Sequence, residues 1–224
     1  MKNTTIFGLI LAGGRGSRMG GVDKGLALLD GASLVARTVA ALEPQVKKII
    51  ISANRNLESY SALQAHGAAI SVVPDTFADY QGPLAGMHAG LQAMANSAAP
   101  PDYVMVVPTD TPHLPPCLAD RLSERLVEAL FSGVSKARPS TMQCAYVTVK
   151  GEMHPLICLV KLEVLASLQQ FLSLDDRRVR NWIHSLKSVG VAFDDYPESF
   201  ANYNTATQLT AQDALHPSTQ IWNG

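Results

Sequence analysis

The chain has 224 residues, the size of a single α/β domain. Hydrophobic residues make up 47% and charged residues 17%, which excludes a disordered chain, and the formal charge of -1 provides no overall attraction to nucleic acid or an anionic membrane. Three cysteines, Cys117, Cys144 and Cys158, lack the number and spacing of a disulfide framework, a zinc site or a redox pair, and read as reduced cytoplasmic thiols.

Met1, Lys2 and Asn3 ahead of an apolar run have the texture of a short signal peptide, but the run is brief and opens into a glycine-rich turn. It is read as a buried first strand over residues 6–11. Further short apolar runs at 46–52, 69–73 and 103–107 read as strands of a mostly parallel sheet. Helical periodicity fills the intervals at 33–42, 56–66 and 84–95, giving the alternation of an open, doubly wound, Rossmann-like sheet. Beyond Pro108 the pattern predicts a helix over 115–131, a polar irregular stretch over 132–141, and two extended segments, 143–149 and 154–160, forming a small antiparallel element. Helices at 162–172 and 177–187, a strand at 189–193 and a terminal helix at 205–214 complete the reading. No run of about 18 apolar residues suggests a membrane span. With no repeat or linker, residues 1–224 form one expected domain.

Three segments carry chemistry. Residues 11–25, LAGGRGSRMGGVDKG, leave the first strand and combine six glycines with Arg15, Arg18 and Lys24. Glycine lets backbone amides approach an anion, and the cations add charge-assisted hydrogen bonds, so the segment reads as a polyphosphate cradle. It is not a P-loop, because Lys24 is followed by Gly25 rather than Ser or Thr. It is not the dinucleotide fingerprint either, since Gly14-x-Gly16-x-x ends on Met19. The turn Pro108-Thr109-Asp110-Thr111-Pro112 ends a buried strand, where a carboxylate points into the ligand crevice of such sheets. Asp110 is the candidate Mg²⁺ ligand, or else an Asx turn shaping a proline-rich loop. In the third segment, residues 73–86, Asp75 leaves its strand at the same sheet edge and is suited to accept hydrogen bonds from a base or ribose, whereas Asp79 reads as a helix cap. Met87, Leu91 and Met94 share a helix with Leu84 and read as core.

In this order and spacing, LAGGRGSRM, MGGVDKG, DYQGPLAGM and DTP resemble the molybdenum cofactor guanylyltransferases, with weaker similarity from about residue 6 to residue 209. The glycine loop alone is similar to a wider class of sugar-phosphate nucleotidyltransferases and cytidylyltransferases. The resemblance implies a nucleotide-binding α/β fold in which Leu11, Ala12 and Gly13 contact guanine, Lys24 and Asp75 contribute to nucleotide binding, and Asp110 binds Mg²⁺. Arg18, Lys24 and Asp110 form the expected catalytic set. The family match places His154, Asn202 and Asn204 near the crevice, and Arg177 and Arg178 are candidates for the acceptor's phosphate. The nucleotide-binding half is expected at about 1–112 and the acceptor-binding half at about 113–224. Ser52, Thr109 and Ala206 stand where family members can have asparagine, cysteine and proline.

The reaction implied is transfer of GMP from GTP to the phosphate of molybdenum-molybdopterin, with release of pyrophosphate. A phosphate acceptor is already anionic, so no strong base, nucleophilic triad or reactive cysteine is expected. The alternatives are a cytidylyl or sugar-phosphate nucleotidyltransferase using the same loop, and a non-catalytic nucleotide-binding protein of cofactor delivery. Expected partners are GTP, molybdopterin or its molybdenum form, and proteins that deliver molybdopterin or serve as molybdoenzyme chaperones. Neither nucleic acid nor a membrane is expected.

Overall fold

The computed structural model describes residues 4–13, 23–63, 65, 67–75, 82–131, 142–174 and 176–203. Strand β1 (Ile6–Leu11) pairs in parallel with β4 (Lys48–Ser52) on one side and β6 (Tyr103–Pro108) on the other, and β5 (Ala69–Val73) extends the sheet beyond β4. On the far side of β6 lie β8 (Glu152–Lys161), β7 (Cys144–Val149) and β9 (Ser188–Ala192), giving the order β5-β4-β1-β6-β8-β7-β9. Only β8 runs antiparallel to its neighbours. The chain steps outward from β1 to β4 and β5, then returns to the other side of β1 as β6. The crevice between the ends of β1 and β6 is therefore the topological switch point, where sheets of this kind bind ligands.

Strand residues alternate between two cores, as the pleat requires. On one face Ile10, Ile49, Ile51, Met105 and Val107 pack with Val35, Val39 and Leu42 of α1 (Leu34–Leu42) and Leu118, Leu122 and Leu126 of α4 (Leu118–Phe131). On the other, Leu9, Ile50, Val104 and Val106 meet Leu84, Met87, Leu91 and Met94 of α3 (Pro83–Ala95). That second face also takes Leu168 and Leu172 of α5 (Leu165–Leu172) and Trp182 and Ile183 of α6 (Val179–Ser185). The expected core assignment of Met87, Leu91 and Met94 holds, since all three are fully buried.

Several expected boundaries change. The helix expected at 56–66 is only α2 (Leu57–Ser61): Asn56, left-handed at φ 51°, stands before its first turn, and the helix ends at its cap Ala62, whose amide donates to the Glu58 carbonyl. The helix expected from residue 115 begins at Leu118, after a turn in which the Leu118 amide donates to the Pro115 carbonyl. Residues 162–164 form a 3-10 turn before α5 rather than its first turn. A short hairpin of β2 (Leu28–Leu29) and β3 (Ala32–Ser33) was not anticipated, although its turn, Asp30-Gly31 at φ 48° and 78°, is a recognisable two-residue hairpin signal. The expected hairpin of β7 and β8 turns through Lys150-Gly151 with the same signs of φ. Residues 132–141 and the expected helix at 205–214 lie outside the described residues.

One irregularity shapes the crevice. Tyr146 of β7 opposes Cys158, but the next residue, Val147, opposes His154, so residues 155–157 are looped out of that register. Pairing between β8 and β6 ends at Val106 and Cys158, two residues short of Pro108. The last two residues of β6, Val107 and Pro108, therefore extend beyond its ladder with β8.

Candidate active site

The sheet register sets the carboxyl ends of four parallel strands in one row. Leu11 is level with both Ser52 and Pro108, and Ser52 is level with Val73. Two positions beyond the row, these strands deliver Gly13, Asn54, Asp110 and Asp75 respectively. The turns are tied together as extensions of the ladder: the Ala12 amide donates to the Ser52 carbonyl at 2.8 Å, Ala53 to Val73 at 3.0 Å, and Thr109 to Leu11 at 3.3 Å.

Asp75 sits in a closed hydrogen-bond cluster. Its Oδ1 accepts from the Ser52 hydroxyl at 2.9 Å and its Oδ2 from the Asn54 amide at 2.8 Å, while its own backbone N–H donates to Asn54 Oδ1 at 2.8 Å. A carboxylate offers about four acceptor positions, and the described residues occupy two of them. Glycine at position 86 keeps space beside the carboxylate, whereas a Cβ at Gly13 would make only ordinary contact. A Cβ at Gly13 would lie 3.7 Å from Asp75 Oδ2, and one at Gly86 of α3 would lie 2.7 Å from Ser52 Oγ. Ser52, where the family can have asparagine, therefore holds Asp75, a partner 23 residues away that no local pattern announces. Asn54 was missed for the same reason: its partner lies 21 residues away.

Asp110 belongs to the second cluster. Lys24 Nζ donates to its Oδ2 at 2.8 Å, with both side chains 23% exposed. Thr109 beside it is buried, as is Thr111, whose hydroxyl donates to the Pro108 carbonyl at 3.4 Å. The departure at Thr109 thus falls on an inward-facing residue, while Asp110 is presented to the crevice. From the other side, the Tyr203 amide donates to the Asp110 carbonyl at 3.0 Å, and the Tyr203 ring meets His113 edge-on at 5.7 Å. This return of the chain brings the backbone of Asn202 beside the Asp110 turn.

Lys24 opens a 3-10 turn, Lys24–Leu26, anchored by its cap Asp23. The buried Asp23 carboxylate accepts from Gly25 N at 3.2 Å, Asn56 Nδ2 at 3.0 Å and the Tyr60 hydroxyl at 2.6 Å. Burial first, and the bond to Asp23 second, push the Tyr60 hydroxyl well above its ordinary value, so it remains a protonated donor. Asp23, Asn56 and Tyr60 were not among the expected site residues, because contacts across 33 and 37 residues leave no local pattern.

Of the acceptor-side candidates, His154 lies on β8 beside the looped-out register, with its ring 5.7 Å from Phe200. Burial lowers its pKa, partly opposed by Glu152, so the ring favours the neutral form. Arg178 forks onto Asp176 through two bonds of 3.1 Å, and Arg177 donates to the Leu174 carbonyl. Both arginines are thus engaged in the connection between α5 and α6. Arg18, Arg15, Asp79, Asn204 and Ala206 lie outside the described residues.

A switch-point crevice with a lysine–carboxylate pair suits a protein that handles nucleotide phosphates. Residues 8–189 match the family model described as MobA-like NTP transferase domain. The chain is 40% identical over 210 residues to the molybdenum cofactor guanylyltransferase of Ralstonia nicotianae, covering 93% of this chain and 96% of that protein. It is 39% identical over 213 residues to the same enzyme of Acidovorax ebreus, covering 94% and 96%. Among solved structures, the molybdopterin-guanine dinucleotide biosynthesis protein A of Archaeoglobus fulgidus superposes with a TM-score of 0.68 at 18% identity, covering 94% of this chain and 98% of that one, which supports the fold. The chain therefore belongs to the MobA-like NTP transferase family.

Proposed function

We propose that this chain transfers GMP from GTP to the terminal phosphate of molybdenum-molybdopterin, releasing pyrophosphate. The observation that carries the reading is the row of strand ends that sets Gly13 and Asp75 beside the Lys24–Asp110 pair across one switch point. Relatives of this length and identity support the choice of GTP and of a molybdopterin acceptor.

The residues divide the work. Guanine presents two adjacent N–H donor groups, which suit the Asp75 carboxylate, and Leu11, Ala12 and Gly13 supply backbone at the end of β1. Lys24 neutralises phosphate oxygens, assisted by Arg18 of the glycine-rich segment. The acceptor phosphate, anionic near neutral pH, attacks the α-phosphorus, and its oxygen displaces pyrophosphate without a covalent enzyme intermediate. The chain orients the two phosphates and offsets their charge, so no proton need pass to a protein base. His154, Arg177, Arg178, Asn202 and Asn204 are proposed for the acceptor side, which makes residues after about 113 the acceptor-binding half of one domain and those up to about 112 the nucleotide-binding half.

Asp110 fits Mg²⁺ by its chemistry: it is a hard oxygen donor already facing a cation at 2.8 Å. Among the described residues no three His, Cys, Asp or Glu gather as ligands, so the ion would be held by Asp110 together with the substrate's phosphates. Bound there, Mg²⁺ would supply charge neutralisation on the polyphosphate. The three free cysteines suit a reducing cytoplasm. No helix among the described residues is long and apolar enough to cross a membrane.

The deciding experiment measures pyrophosphate release from GTP, CTP, ATP and UTP with molybdenum-molybdopterin and Mg²⁺. Release from GTP alone is expected. Release from CTP alone would assign the chain to cytidylyl transfer, and release from none would leave it a binding protein.

A further inference from the structure

Lys24 sits on a turn that is tied to a neighbouring helix. It follows the glycine-rich stretch of residues 13–21 and rides on a single 3-10 turn, a geometry with little stability of its own. What fixes this turn is a buried polar assembly beneath it. The Asp23 carboxylate ties the turn's own Gly25 amide to Tyr60 on α2 and to Asn56 at the start of α2. Tyr60 is fully buried and cannot touch a substrate. A phenylalanine would fill the same apolar space, so the hydroxyl contributes direction rather than packing. Gly25 completes the fit, since a Cβ there would stand 2.4 Å from the Tyr60 hydroxyl oxygen.

We infer that Tyr60 and Asp23 form a positioning pair that sets the reach of Lys24 toward Asp110 and the nucleotide phosphates, so that α2 controls turnover without contacting any reactant. This rests on the reading of Lys24 as a phosphate-neutralising cation. The Tyr60 hydroxyl and the Gly25 amide share Asp23 Oδ1, so removing the hydroxyl leaves that oxygen to the turn alone, cuts its tie to α2 and lets the turn shift. A displacement of the order of 1 Å at a catalytic cation is enough to lower the rate substantially.

The test is a double-mutant cycle on the full chain with wild type, Tyr60→Phe, Lys24→Ala and the double variant. Rates of pyrophosphate release are measured with GTP varied in excess over protein, over long incubations so that slow variants remain measurable, and thermal unfolding is followed in parallel. Tyr60→Phe is expected to lower kcat roughly 10- to 100-fold, with a smaller effect on KM for GTP. In the Lys24→Ala background the same change should cost nothing further. An equal loss in both backgrounds would overturn the inference, because Tyr60 would then act on the fold at large, as would a Tyr60→Phe protein of normal turnover. A Lys24→Ala protein of normal turnover would instead overturn the reading of Lys24 and the inference with it. Should Tyr60→Phe fail to fold, Asp23→Asn, which keeps the shape and loses the charge, replaces it in the same cycle with the same outcomes.

Discussion

Lys24 and Asp110 satisfy each other at 2.8 Å, yet both remain 23% exposed to the crevice, a compromise between holding a charge in place and keeping it available. Surface pairs of this kind add at most about 1 kcal/mol, so this one contributes little to the fold. Asp110→Asn should accordingly leave the thermal unfolding midpoint nearly unchanged. Pyrophosphate release should fall about 10²-fold or more, and raising Mg²⁺ should restore part of it. A magnesium titration of both proteins checks this: superimposed curves would reduce Asp110 to a turn-shaping residue. Lys24→Ala should likewise lower turnover by about 10²-fold with little change in unfolding. The sequence marked Lys24, Asp75 and Asp110 as candidates because each sits directly after a strand or glycine segment of recognisable pattern. It did not reveal Ser52, Asn54, Asp23 or Tyr60, whose roles arise from hydrogen bonds to residues 21 to 37 positions away.

Helix α3 shows how one element serves packing and site at once. Gly86 and Gly90 lie one turn apart on its sheet-facing side. A Cβ at Gly90 would stand 2.3 Å from Leu9 Cδ1, a fully buried side chain of β1, whereas a Cβ at Gly86 would stand 2.7 Å from Ser52 Oγ and 3.4 Å from Asp75 Oδ1. Gly90→Ala is therefore expected to cost about 1–3 kcal/mol of stability by overpacking, measured by denaturant unfolding, with GTP affinity retained in the folded fraction. Gly86→Ala should weaken GTP binding, measured by calorimetry, because it displaces the hydroxyl that holds Asp75. Reversal of that pattern would mean that α3 meets the nucleotide through Gly90 instead. At this scale the existence of α1, α3 and the parallel strands was readable from periodicity, while the shortening of α2 was not. Asn56 takes a left-handed conformation while its side chain donates to Asp23, which sets the start of α2 at Leu57, and the helix closes at Ala62, short of the expected end.

Across the whole molecule, three histidines on different elements, His88, His113 and His154, are each held below their ordinary value of 6.5, chiefly by burial. Each binds a proton more readily when unfolded than when folded. The stability they contribute is therefore present above about pH 6.5 and lost as pH falls below it toward their folded values. Denaturant midpoints measured between pH 8 and pH 5 should decline on the acidic side, and a flat profile would show that these rings titrate freely in the fold. Ligand linkage acts on the same global equilibrium: GTP at a hundredfold excess over its dissociation constant should add roughly 2.7 kcal/mol, and CTP much less, in a thermal shift assay. A larger shift with CTP would point to a cytosine site.

By itself, the sequence determined the α/β alternation, the two-sided burial of the parallel strands and the glycine-rich, DKG and DTP segments that mark a nucleotidyltransferase. These are local signals, set by hydrophobic period and turn chemistry within a few residues. The tertiary structure alone decided which strand ends stand level, because register follows from pairing between segments far apart in the chain. It also decided that β6 extends two residues beyond its ladder with β8, and that Asp23, Asn56 and Tyr60 close beneath Lys24. Those contacts depend on directional bonds across long sequence separations, for which a linear chain carries no periodic trace.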